Sequence, residues 1–347
     1  MNRPTVSVII PVYNKRDYVE QTINSVLQQE LEDLEIIIID DGSSDDSLDI
    51  VSEIKDERLR VFSQTNFGVE HARNFGFSQS DGSFIVFLDA DDLMNSNRLI
   101  HQLQLFNSNE DLVLVGTWAN VIDQAGNVIG SIRPPTSNNA LQIAHLFRNQ
   151  FVNSSVMVKR TALENGMVFD VSRGRRFAED YDLWLRVSKS GLIANIPEEL
   201  TAYRRLNESR SQSKGRSPLE SARDISAGWL HQNTNLFETI DSARNFVMSI
   251  NGLDDLSPSV GCKVKNSLQI YDLLLNELQL INTDQDLKET RKAINHHKLH
   301  IRAWSLIGFI PMPIQKLSSL ILNSLKSSWF AQLLVTQIAT RGSNKRP

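Results

Sequence analysis

Three carboxylates crowd into four residues where an apolar run ends: Phe84-Ile85-Val86-Phe87-Leu88 leads directly into Asp89-Ala90-Asp91-Asp92. Hard oxygen ligands at this spacing suit Mg²⁺ or Mn²⁺, and two carboxylates plus phosphate oxygens are the usual way to hold such an ion over a diphosphate. Three anions in one turn repel one another unless a cation sits among them. The plain alternative is a helix-capping Asp with solvated neighbours. A second acidic turn, Asp40-Asp41, ends the apolar stretch from Leu34 to Ile39. Asp41 could accept a hydrogen bond from the imide N–H of a pyrimidine base, with Ser43 and Ser44 capping the helix that follows. Tyr13 offers a flat face for a base, and Arg73 a partner for a phosphate or for one of these Asp residues. Glu179-Asp180, at a helix entrance, is a carboxylate pair that could deprotonate an acceptor hydroxyl; for an isolated pair, capping of the helix is the commoner explanation.

These residues need a scaffold that gathers them, and the spacing predicts one. Val6 to Ile10 is a β-rich apolar strand, ended by Pro11, and Asp17 to Gln28 has helical apolar spacing with Asp17 as N-cap. The unit repeats: a strand over Leu34 to Ile39, a helix over Ser47 to Ile54, a strand at Leu59 to Phe62, a helix over His71 to Ser78, and a strand over Ser83 to Leu88. Such alternation argues a parallel α/β sheet of nucleotide-binding type, with its polar turns at the carboxyl edge. Further on, a helix over Asn97 to Phe106, a strand at Leu112 to Gly116, a hairpin around Asp123 to Asn127, a helix near Ala140 to Arg148 and a strand at Ser154 to Val158 are expected. Leu183, Trp184, Leu185 and Val187 begin a helix after Glu179-Asp180, and Ile193 to Ile196 and Thr201 to Arg204 close the sheet.

Asn207 to Pro218 is a Ser-, Arg- and Lys-rich linker and marks the expected boundary between residues 1–210 and a helical region, 211–347. Helical spacing recurs there over Ile225 to Phe237, Val264 to Leu280, Lys288 to Ile307 and Ile314 to Ile338, with Pro311-Met312-Pro313 as an interruption. The chain's 347 residues carry 41% hydrophobic and 22% charged residues, a globular composition, and a formal net charge of −5. That charge is unevenly spread: residues 287–347 hold ten Lys or Arg and one acid, Glu289. With Trp304, Phe309, Trp329 and Phe330 this tail suits an anionic membrane surface, or packing on the rest of the chain or a second subunit; no nucleic-acid partner is expected. The single Cys262 excludes a disulfide framework, and the N-terminal apolar stretch is too short for a signal peptide. Both point to the cytoplasm, with peripheral contact at the inner membrane face where the tail docks. No stretch reaches the about eighteen uninterrupted apolar residues of a spanning helix.

Taken in order, Val6-Ser7-Val8-Ile9-Ile10-Pro11-Val12-Tyr13-Asn14, Ile38-Ile39-Asp40-Asp41-Gly42-Ser43-Ser44-Asp45, Gly68-Val69-Glu70-His71-Ala72-Arg73-Asn74, Leu88-Asp89-Ala90-Asp91-Asp92 and Glu179-Asp180-Tyr181-Asp182-Leu183-Trp184 resemble the signature of the family 2 glycosyltransferases, over about residues 5 to 205. The resemblance implies the GT-A fold, a Rossmann-like mixed sheet flanked by helices and followed here by the α-helical C-terminal region. It also implies an inverting, hexosyltransferase-type (EC 2.4) transfer from a nucleotide sugar, usually a UDP-sugar, to a glycan or lipid-linked acceptor of cell-surface polysaccharide synthesis, with Mn²⁺ or Mg²⁺. Carried over, Pro11, Tyr13, Asp41, Arg73, Asp89 and Ala90 bind the nucleotide, and Asp91 and Asp92 the metal. Asp180 is the catalytic base, with Glu179 and Trp184 as auxiliary or acceptor residues. A non-catalytic nucleotide or glycan binder and a sugar-nucleotide nucleotidyltransferase are the competing readings. One departure stands out: Tyr203-Arg204-Arg205-Leu206-Asn207 lacks the His that members often carry shortly after Tyr-Arg, so Arg204, Arg205 or Arg210 is expected to cover the diphosphate instead.

Overall fold

The structure, a computed structural model, describes residues 3–164, 169–171, 178–206, 218–251, 267–277 and 289–298. In chain order its elements are β1 (Val6–Val12), α1 (Val19–Leu27), β2 (Leu34–Asp40), α2 (Ser47–Glu53), β3 (Leu59–Ser63), α3 (Val69–Gln79), β4 (Phe84–Phe87), β5 (Leu93–Met94), α4 (Arg98–Ser108), β6 (Leu112–Ile122) and β7 (Val128–Ile132). They continue with α5 (Asn138–His145), a 3₁₀ turn (Asn153–Ser155), β8 (Met157–Lys159), α6 (Arg160–Glu164), α7 (Glu179–Val187), β9 (Leu192–Arg204), α8 (Pro218–Asn233), α9 (Ile240–Asn251) and α10 (Ser267–Glu277).

One sheet organises them, in the order β3-β2-β1-β4-β8-β6-β9-β5, with β7 hydrogen-bonded to β6. β1 and β2 are buried at every residue, which is why they read as unbroken apolar runs: helices cover both faces. α1 and α4 pack into one core with β1, β2 and the end of β4, and α3 and α7 into a second on the other face. β1 to β4 are parallel, as expected, but β8 runs antiparallel to both β4 and β6, and β5 antiparallel to β9, so the sheet is mixed. Because β8 reverses between them, β6 points the same way as β4, and the carboxyl ends of β1, β2, β4, β6 and β9 share one edge.

Several boundaries differ from expectation for local reasons. Pro11 does not end β1, because pairing with β4 stops at Ile9 and the missing proline N–H costs no ladder bond on that side. Asp17 is exposed and does not cap α1, whose first turn hangs on Lys15 O. The two strands expected between Ile193 and Arg204 are one, β9; Pro197 falls where its register with β6 shifts, a bulge that tolerates it. α9 was not expected as a separate helix, although Ala243, Phe246, Val247 and Ile250 keep its spacing.

The C-terminal helices belong to the same body. Ala227, Leu230, Phe246, Val247, Tyr271 and Leu274 share a core with Ile143, Leu146 and Phe147 in and after α5. The Glu289 carboxylate accepts hydrogen bonds from the Thr136 and Ser137 N–H groups at 3.1 and 3.0 Å, just before α5 begins. The linker 207–217 and the tail 299–347, with Trp304, Phe309, Trp329 and Phe330, lie outside the described residues, and among those described no helix is long and apolar enough to cross a membrane.

Gly76 sets how closely α3 lies on the sheet. A Cβ there would stand 2.4 Å from Ile9 Cγ2 and 3.3 Å from Ile39 Cγ1, and β-branched residues in the middle of a sheet have little freedom to yield. Gly76→Ala is expected to cost about 1–3 kcal/mol by overpacking, read as a lower urea midpoint at unchanged slope.

Candidate active site

The acidic turn after β4 hangs over the sheet edge. Asp89 N–H donates to Ser154 Oγ at 3.1 Å, and Asp92 N–H closes the turn on Asp89 O at 3.0 Å. Its three carboxylates then part company. Asp89 meets Arg73, whose Nη2 lies 2.6 Å from Asp89 Oδ1; Asp91 meets Lys15, whose Nζ lies 2.6 Å from Asp91 Oδ2. Asp92 is 1% exposed and turned inward, where its Oδ1 accepts the Arg204 N–H at 2.7 Å. Burial, with Asp91 and Asp89 beside it, pushes the Asp92 carboxyl well above the usual range. Behind it lies Arg98, fully buried and donating to Gln102 Oε1 and the Ser154 carbonyl; burial lowers it to about 9, against the opposing charge of Asp92. Asp92, expected as a metal ligand, is thus a buried tie between the turn and β9. Protein cations offset the expected repulsion only in part: Arg73 pairs with Asp89 and Lys15 with Asp91, yet burial, with Asp89 beside it, holds Asp91 above its usual range against Lys15.

Arg73 is the centre of the site. It is buried on α3, and its Nη1 lies 2.9 Å from Glu179 Oε1 at the start of α7, so one guanidinium joins the acidic turn to the second carboxylate pair. Phe169 lies under it at 5.1 Å. Burial works against the charge on Arg73, but Asp89 and Glu179 overcome it and the guanidinium is held more firmly than usual. Next to it Asp180 is half-buried. Its Oδ1 accepts the Tyr181 N–H at 2.8 Å and its Oδ2 accepts Asn149 Nδ2 at 2.9 Å. Burial, then the charge of Glu179, raise Asp180 to about 7 against the pull of Arg73. Asn149 carried no signal in the sequence. Its own Oδ1 accepts the Phe151 N–H at 3.1 Å, which fixes the amide so that its nitrogen faces Asp180.

The other expected residues separate into those exposed at the sheet edge and those buried beneath it. Asp41 is buried, and its two oxygens accept Gln64 Nε2, Phe67 N–H and Gly68 N–H at 2.7, 3.0 and 2.9 Å; Gly68, at φ 98°, makes that loop conformation cheap. Tyr13 is 48% exposed beside it, while Pro11 and Ala90 are buried in the strand and turn. β2 and β4 flank β1, which sets Asp41 and Asp89 two strand spacings apart, about 10 Å. Trp184 is fully buried against Phe87 and cannot meet an acceptor from solvent: the helix turns that face to the core. Ser43 and Ser44 do not cap α2; they bond Asn14 across the two loops, and Asp45 caps Ser47 N–H at 3.0 Å. Arg204 is not free for a diphosphate, since its guanidinium donates to Asp91 O, Asp123 O, Gln124 O and Gln21 Oε1. Arg205 is exposed, and Arg210 lies outside the described residues.

Among the described residues no group of three or more His, Cys, Asp or Glu side chains is arranged to hold a metal ion by itself. The donor set nevertheless fits Mn²⁺ or Mg²⁺ held jointly with a ligand: Asp91 and Asp89 bring hard oxygens to the solvent with 17% and 34% of their side chains exposed, and such ions commonly take one or two carboxylates plus phosphate oxygens.

A mixed sheet with its acidic turns on one edge, covered by helices and followed by a helical region, is the GT-A architecture. Residues 7–171 match Glycosyl transferase family 2. An uncharacterised glycosyltransferase of Haemophilus influenzae is 30% identical over 236 residues, 65% of this chain and 72% of that protein. A putative teichuronic acid biosynthesis glycosyltransferase, TuaG of Bacillus subtilis, is 33% identical over 218 residues, 61% of this chain and 83% of its own. In three dimensions the chain resembles S. aureus TarS 1-349 in complex with UDP-GlcNAc, with a TM-score of 0.57 at 19% identity over 87% of this chain and 92% of that one. The protein is therefore a GT-A glycosyltransferase. It belongs to Glycosyl transferase family 2, and the family match ends at residue 171, ahead of Glu179 and Asp180.

Removing Arg73 would take the cation from between Asp89 and the largely buried Glu179. Arg73→Met is expected to destabilise the fold by about 3–5 kcal/mol, measured by chemical denaturation, with a smaller loss for Glu179→Gln, which keeps Asp89 on the guanidinium.

Proposed function

We propose that the protein transfers a sugar, with inversion, from a UDP-sugar to a hydroxyl of a cell-surface glycan or its lipid-linked precursor. The observation that carries this reading is the Arg73 bridge, which brings Glu179-Asp180 alongside the Asp89 turn although 106 residues separate Arg73 from Glu179. Tyr13 and Asp41 take the base, Asp41 through the acceptor capacity its loop bonds leave unused. Asp89 takes the ribose end of the nucleotide. Asp91 is the residue that would hold Mn²⁺ or Mg²⁺ together with the diphosphate, and the ion's contribution when bound is to neutralise the leaving charge. Asp180 is the general base. A carboxylate near 7 is half-ionised at neutral pH and basic enough to take a hydroxyl proton as the C1–O bond forms, the match that general-base catalysis needs. Attack from that side, opposite the departing diphosphate, inverts C1. The UDP assignment draws support from the TarS complexes with UDP and UDP-GlcNAc, and the surface-glycan assignment from TuaG.

Asp180→Asn is expected to abolish Mn²⁺-dependent transfer from UDP-sugars while UDP binding, followed by calorimetry, persists. Loss of both, or of neither, would sink the assignment of the base. In the wild type, kcat/KM should rise with pH through about 7, because protonated Asp180 in the free enzyme is inactive and deprotonation restores it.

The basic tail, residues 287–347, is proposed to dock on anionic membrane at the cytoplasmic face, near a lipid-linked acceptor. Flotation with anionic liposomes should carry the full chain and leave a chain truncated after residue 298 in the soluble fraction; equal recovery of the two counts against it.

A further inference from the structure

Lys15, paired with Asp91 of the acidic turn, is a charged group among the described residues that the proposed reaction leaves without a task. It is held in place rather than dangling. Asn14 before it is left-handed, at φ 52°, a conformation Asn tolerates better than most residues, and it joins the loops after β1 and β2: Asn14 N–H donates to Ser43 Oγ at 3.1 Å and Ser44 N–H to Asn14 Oδ1 at 2.8 Å. Lys15 N–H then donates to Ser47 Oγ at 2.7 Å. From this anchored backbone Nζ reaches Asp91, with 29% of the lysine side chain and 17% of the aspartate exposed.

That contact sets up a competition. An ammonium and a divalent cation on one carboxylate repel each other, so whichever sits on Asp91 weakens the other. Arg73 cannot give way, being buried between two carboxylates, and the Arg204 guanidinium is spent on four acceptors. Lys15 can: its charge is compact, sits on a flexible four-carbon stem and is partly solvated, so it can swing without moving the loop. A diphosphate brought to Asp91 would add negative oxygens within the same small volume, a second place for the displaced ammonium to go.

We propose that Lys15 is an exchangeable counter-charge: in the nucleotide-free protein it neutralises Asp91 and suppresses divalent metal binding there, and in the donor complex it moves to the diphosphate and becomes a donor-binding residue. The inference rests on the glycosyl-transfer reading and deepens it by assigning an order. Metal alone binds poorly, and metal with nucleotide binds well.

The test uses the full chain with Lys15→Met and Lys15→Arg, Mn²⁺ binding followed by electron paramagnetic resonance of the free ion with and without UDP, and UDP binding followed by calorimetry in Mn²⁺. Lys15→Met should bind Mn²⁺ without UDP about tenfold more tightly than the wild type, and UDP in Mn²⁺ about tenfold more weakly, the scale of one charge-assisted hydrogen bond. Lys15→Arg, which keeps the charge, should stay close to the wild type in both. Opposite signs cannot come from damage to the fold, which would weaken both. Mn²⁺ binding indifferent to Lys15→Met, or UDP binding unchanged by it, overturns the inference and leaves the glycosyl-transfer reading standing. If the wild type binds neither UDP nor Mn²⁺ in any combination, the glycosyl-transfer reading fails and the inference with it.

Discussion

The Arg73 guanidinium, closed between Asp89 and Glu179, is the interaction on which the rest of the site depends. A buried charge is costly unless it is paired and hydrogen-bonded, and removing one partner is worse than removing all. Arg73 therefore commits three elements to one geometry: α3, the turn after β4, and the first turn of α7. The close approach of α3 at Gly76 and the ring of Phe169 beneath the guanidinium serve the same end. What looks like a structural ion network is also what fixes the distance between the acidic turn after β4 and the proposed base.

The cations in and around the acidic turn differ in how tightly they are held, and the difference divides their work. Arg98 lies deepest, opposite the inward-turned Asp92, and Arg204 braces the turn from β9 through four carbonyl or amide oxygens. Those two keep the backbone of the turn where it is. Only at Asp91 does the compensating charge come from a flexible lysine with part of its surface in water. A site that must accept and release a charged ligand needs one compensating charge able to leave, and a planar, buried guanidinium is poorly suited to that.

How much of this was legible in the sequence follows from range. Local features read well: the runs Val6 to Ile10 and Leu34 to Ile39 announced a two-faced parallel sheet, and a sheet of that kind gathers Asp41 and Asp89 on one edge whatever the details. The antiparallel β8 did not, because three residues following a 3₁₀ turn carry no directional signal. Side-chain direction was the larger gap. Asp89, Asp91 and Asp92 look interchangeable as letters, yet one faces Arg73, one Lys15 and one the interior. Trp184, a letter of the motif, packs from α7 against Phe87. Lys15 and Asn149 belong to no spacing pattern; their partners are 76 and 31 residues away, and contacts of that kind exist only once the chain has folded.

Asp180 shows why the second carboxylate of the pair is the one suited to moving a proton. Glu179 is bound to Arg73 and so is committed to the network; its charge, added to the burial of Asp180, raises the neighbour into the neutral range. Left to those two influences the carboxyl would become an acid that gives up its proton reluctantly. Arg73 pulls in the other direction through space, and the Tyr181 N–H donates to the charged form. Asn149 adds a donor whose orientation the Phe151 N–H has already set, and each oxygen of Asp180 keeps acceptor capacity for a hydroxyl. Two adjacent carboxylates thus acquire different characters from their surroundings alone, the arrangement by which one fold runs base chemistry at neutral pH. The same guanidinium that holds Asp89 also tempers the protonation of Asp180, so a change at either end of Arg73 is felt at the other.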